Sequence, residues 1–126
     1  PWSAVFVSWC VKRAGATASQ FAFAAAHAKF VHAAIANGEA EKGVFRGRRP
    51  AQYAPKIGDI LQNNRGGHRF DYDFARTHSR YESHSAIVIE VGSDNRGRYL
   101  RTIGGNEADS VGMKEVRLNA KGMVKN

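Results

Sequence analysis

A chain of 126 residues with 43% hydrophobic content has material for one domain around a single core. Nineteen basic against eleven acidic residues leave a net charge of +8, which suits an anionic partner: a cell-wall polymer, an anionic lipid or nucleic acid. One cysteine excludes an internal disulfide framework and a Cys-rich zinc site, and no apolar run is long enough to span a bilayer. The chain starts without Met and without a basic-then-apolar leader, so it reads as a domain of a longer protein. Its basic residues are scattered, with small clusters at 46–49 and 121–126 and no RNA-binding or helix-turn-helix signature, which makes nucleic acid the least favoured partner.

In chain order, Pro1 and Ser3 are helix-start signals, and Gly15 is a stop. Between them Trp2, Val5, Phe6 and Trp9 repeat at helical spacing and predict one apolar stripe. A second helix is predicted over 19–37, with Phe23, Ala26, Phe30 and Ala33–Ala34 on one side and Asn37–Gly38 closing it. Residues 38–57 read as an irregular connection. "IGDILQ" (57–62) reads as a short strand, and the polar stretch 63–83 as a long functional or mobile loop. "HSAIVIEV" (84–91) and "RYLRTI" (98–103) form a predicted hairpin around the turn residues 92–97. Residues 110–118 add a further strand, and the tail after Lys121 is expected to fray. Helices first and an antiparallel sheet afterwards make the class α+β, a single domain over 1–126 without internal repeats.

Two nucleophile types open the chain. Ser3 lies in the first helical turn, where unpaired N–H groups and the macrodipole favour developing negative charge. Its bland role is a helix cap. Cys10 lies two turns further on, in mid-helix, where a thiol is normally an inert small hydrophobe. A serine nucleophile needs a base and a group that orients the base. Of the histidines at 27, 32, 68, 78 and 84, His84 begins a strand, and centring the hairpin turn on Asn95 sets Asn106 opposite it. An amide oxygen there would hold the imidazole tautomer.

These stretches carry a resemblance. "PWSAVFVSW" resembles the first helix of the CHAP and NlpC-type papain-like cell-wall hydrolases, which is headed by a catalytic Cys. "IGDIL" resembles their strand entry, "HSAIVIEV" the strand bearing their general base, and "IGGN" the position of their polar third residue. With "AAAHAKF" and "YAPKIGDIL", the set also resembles a bacterial family of unknown function grouped near the NlpC-type enzymes, from Pro1 to about Leu118. The resemblance implies a papain-like fold and cleavage of an amide bond in peptidoglycan, by a bacterial effector that is periplasmic or secreted. It implies catalytic roles for Ser3, His84 and Asn106, and it puts Trp2, His27 and Asp59 on the substrate side, although His27 also reads as a packed helix histidine. It implies no metal and no cofactor. Peptidoglycan or its stem peptides are the expected partners, with an immunity or inhibitor protein as a further candidate. Ser3 stands where these enzymes carry Cys, and Ile103 stands where CHAP enzymes carry a Glu. The competing reading is a catalytically inactive wall-binding or protein-binding module of the same fold.

Overall fold

The computed structural model describes residues 2–64, 70–81 and 83–125. It is α+β: helices α1 (Ser3–Arg13), α2 (His27–Glu39) and α3 (Tyr72–Thr77) accompany a four-stranded antiparallel sheet. The strands β1 (Ile60–Asn64), β2 (Ser83–Asp94), β3 (Gly97–Glu107) and β4 (Ser110–Arg117) lie side by side in chain order.

Helix α1 ends where Gly15 predicts. Gly15 adopts φ 104°, its N–H donates to Lys12 O and the Ala16 N–H reaches Val11 O, a Schellman closure. Lys12 and Arg13 complement the negative end of the dipole. The buried stripe is Ser3, Ala4, Val7 and Val11, whereas Val5 and Trp9 of the predicted aromatic stripe face solvent. The helix turns its smaller residues inward, and the Trp9 ring takes the Arg13 guanidinium, 5.8 Å from its centroid.

Helix α2 begins eight residues later than the periodicity predicts. Thr17 N–H donates to the Gln20 side chain, and Thr17 Oγ1 pairs with Ser19 Oγ, so polar side chains hold a turn there instead of a helix. Phe21 then leaves the chain as a core ring, with centroids 5.3, 5.0 and 4.8 Å from Phe23, Phe30 and Phe45. Asn37–Gly38 does not close α2, because the helix runs on through Glu39. Gly38 serves a crossing instead: a Cβ there would lie 2.6 Å from Gly47 O, and Gly47 N–H donates to Ala34 O at 2.6 Å.

The segment read as one loop over 63–83 contains α3, capped by Asp71 Oδ1 accepting from Phe74 N–H at 2.9 Å. In the β2–β3 hairpin the turn is two residues, between Asp94 and Gly97, and an irregularity between Val88 and Glu90 shifts the register. The tail is held, not frayed: Leu118 bridges to Val124, and Asn119 Oδ1 accepts from Lys121 and Met123 N–H. One apolar cluster joins α1, Phe21 and Phe30 to Ile60; a second gathers Val88, Leu100 and Leu118 with Val124.

Candidate functional site

Ser3 is the first residue of α1 and is 1% exposed. Five residues on, Ser8 Oγ donates to Ala24 O at 3.0 Å and accepts from Ala24 N–H at 3.2 Å. That clamp ties the chain to α1 three residues before α2 begins. The first residue of α2, His27, therefore meets the first turn of α1, and its Nε2 lies 2.5 Å from Ser3 Oγ. The His27 ring also packs against Phe30, edge-on at 5.6 Å. A hydroxyl at a helix N-terminus, hydrogen-bonded to a buried imidazole, is the pairing that activates a serine.

A second imidazole backs the first. His84, on β2, packs edge-on to His27 with ring centroids 5.6 Å apart. Its Nε2 lies 3.6 Å from Glu107 Oε2, and Glu107 Oε1 lies 3.5 Å from Lys114 Nζ. His84 and Glu107 are both nearly fully buried, while the Lys114 side chain is 64% exposed. The glycine pair ahead of Glu107 makes room for this. A Cβ on Gly104 would lie 3.1 Å from His84 Nε2 and collide with the Glu107 carboxylate. A Cβ on Gly105 would lie 2.6 Å from Phe6 Cβ and 2.8 Å from the Trp2 ring, so Gly105 lets α1 approach β3.

The residues expected from the sequence fall as follows. Ser3 and His84 sit in one cluster, His27 contacting both the Ser3 hydroxyl and the His84 ring. The β2–β3 ladder ends at Ile87↔Ile103 and does not extend to a His84–Asn106 pair. The register of β3 against β4 shifts between Gly104 and Glu107, and Asn106 takes φ 56°. That irregularity brings the Glu107 carboxylate to His84. Trp2 is the N-cap residue of α1, half-buried against Gly105. Asp59 stands apart, at the entry to β1: its Oδ2 accepts from Lys56 N–H at 2.8 Å and its carbonyl from Val88 N–H at 2.8 Å. Val88 is four residues along β2 from His84, about 13 Å at strand rise. Cys10 is half-buried, and burial pushes its thiol pKa up.

Sequence reasoning passed over Glu107 and Lys114. The available signal was an acid directly after "GGN", at a tight turn where Ala108 and Asp109 adopt φ 54° and 57°. Among the described residues no cluster of three His, Cys, Asp or Glu has a metal-holding arrangement. Among them, too, no helix is long and apolar enough to cross a membrane.

Comparison with protein-family models matches the whole chain, residues 1–126, to a family described as "Uncharacterized protein conserved in bacteria (DUF2272)". The chain belongs to this family. No curated protein and no solved structure matches it. Within this family member, the Ser3–His27–His84–Glu107 array is the densest set of buried chemistry-bearing side chains among the described residues.

Proposed function

We propose that the domain is an amide-bond hydrolase acting on peptidoglycan stem peptides, with Ser3 as nucleophile. The observation that carries this reading is the 2.5 Å contact between Ser3 Oγ and His27 Nε2 at the start of α1. In the proposed cycle Ser3 Oγ bonds to the scissile carbonyl carbon, and its proton passes to His27 Nε2. First-turn N–H groups stabilise the oxyanion. The tetrahedral intermediate collapses as the C–N bond breaks, and His27 gives the proton to the leaving amine. Water then attacks the acyl ester through the same imidazole and frees Ser3. His84 and the Glu107 carboxylate stand behind His27, where negative charge favours a transient imidazolium.

His84 and Asn106 are the base and orienting residue that the resemblance to NlpC-type and CHAP enzymes implies. The distances favour His27 as the first proton acceptor and Glu107 as the polar neighbour of His84. A cell-wall substrate and a periplasmic or secreted location rest on that resemblance, and the +8 charge suits an anionic wall polymer.

The competing reading, an inactive binding module of the same fold, is favoured by one observation: Ser3 is 1% exposed, so substrate reaches it only if the residues packed around it move. Digestion of purified peptidoglycan, with products identified by mass spectrometry, separates the two. The hydrolase releases amide-cleaved fragments, loses that activity in Ser3→Ala and keeps or raises it in Ser3→Cys. A binding module releases nothing as wild type.

A further inference from the structure

Glu107 is buried to 7% exposure, and neither of its carboxylate oxygens has a hydrogen-bond partner among the described residues. An ionised carboxylate has lone pairs for about four donors, and burial without them is costly. Lys114 Nζ at 3.5 Å gives ion-pair attraction without a hydrogen bond, and His84 Nε2 stands 3.6 Å from the other oxygen. The carboxylate lines a cavity of about 170 Å³ on the sheet. A larger hollow of about 490 Å³ lies at the other end of the hairpin, around 54–56 and 91–93, away from these side chains.

The cavity has three kinds of wall. Glu107 supplies an inner anion, Lys114 a cation, and Leu61, Val116 and Val124 an apolar lining. The Lys114 side chain is 64% exposed and marks the mouth. The volume is below the ~300–1,000 Å³ of sites for drug-sized ligands and equals roughly five or six waters at ~30 Å³ each. A lone ammonium entering here would meet Glu107 but would add positive charge beside Lys114. A lone carboxylate would meet Lys114 but would face Glu107. An α-amino acid carries both charges on one carbon and an alkyl group beside them.

We propose that this cavity is a binding site for a small aliphatic α-amino acid in its zwitterionic form. The ammonium donates to the Glu107 carboxylate, the carboxylate faces Lys114 at the mouth, and the side chain rests on Leu61, Val116 and Val124. The site does not depend on Ser3 being a nucleophile, and it is read with ligands that have no bond to cleave.

The test is titration of the folded chain with L- and D-alanine, L-valine and L-leucine, followed by amide chemical shifts and by calorimetry. Isobutylamine and isovalerate serve as single-charge probes. The expected result is saturable binding of at least one amino acid, with each single-charge probe about tenfold or more weaker. Glu107→Gln and Lys114→Gln should each weaken binding by about tenfold, because each loses a charge-assisted contact. Cys10→Ser should bind as wild type. Should Glu107→Gln fail to fold by circular dichroism, Lys114→Gln at the mouth decides. Lack of saturation by any amino acid at tens of millimolar overturns the proposal. So does isobutylamine binding as tightly as the amino acids, or unchanged affinity in Lys114→Gln.

Discussion

Replacing Ser3 by Ala removes the hydroxyl that meets His27 and leaves Nε2 of a 6%-exposed imidazole without that partner. With both groups buried, the desolvation of an unpaired polar atom sets the scale, about 1–3 kcal/mol. Alanine returns a few tenths of that through its better helix propensity. With a urea m-value of about 2 kcal/mol/M for a chain of this size, the unfolding midpoint should fall by about 0.5–1.5 M. His27→Phe keeps a ring against Phe30 and should cost a similar amount, because it strands the Ser3 hydroxyl. The double variant removes both polar atoms, so its loss should be smaller than the sum of the two by about 0.5–3 kcal/mol. Urea unfolding of the four proteins, followed by circular dichroism at constant pH, closes this cycle. A Ser3→Ala midpoint within about 0.2 M of wild type, together with additive losses, would refute a Ser3–His27 hydrogen bond in the folded chain.

Cys10 should react slowly with a thiol reagent in the native protein at neutral pH, since burial raises its pKa and lowers the thiolate fraction; urea should accelerate labelling sharply, and equal rates would contradict this. Asp94, held by the Arg117 guanidinium and by Arg96 N–H, has its carboxyl lowered to about 2. A depressed folded pKa gives stability that is full above the unfolded value and lost as pH falls toward 2, so the urea midpoint should drop between pH 5 and pH 2, and Asp94→Asn should flatten that drop. Leu100→Ala, at a fully buried site in the second cluster, should cost about 2–5 kcal/mol in the same assay. Gly105→Ala should destabilise by about 1–3 kcal/mol, because its Cβ would lie 2.6 Å from Phe6 Cβ; wild-type stability would mean that α1 does not approach β3 so closely.

The features legible in the sequence are those fixed by neighbouring residues. Gly15 ends α1, and the turn residues between the two apolar runs place the β2–β3 hairpin. The start of α2 was hidden because its apolar spacing runs on through 19–26, while Thr17, Ser19 and Gln20 draw the backbone into a turn. The tail looked free because its anchor, Val124 against Leu118 and Leu100, is a tertiary contact. The pairing of His27 with Ser3 spans 24 residues and depends on the Ser8–Ala24 clamp, which no local pattern announces. Glu107 is not legible from the hairpin register, because the β2–β3 ladder ends at Ile87↔Ile103 and the β3–β4 register shifts between Gly104 and Glu107. Ser3 and His84 are legible as a helix start and a strand start, which are local signals, and both contact His27.

The most direct measurement is the mass of the intact chain during turnover of purified peptidoglycan fragments, quenched in acid and mapped by proteolysis. An acyl ester should appear on the peptide carrying Ser3, form far more slowly in His27→Ala, which lacks the base that takes the Ser3 proton, and be absent in Ser3→Ala. Release of amide-cleaved fragments by Ser3→Ala at the wild-type rate, with no adduct on Ser3 in any variant, would contradict Ser3 as the nucleophile.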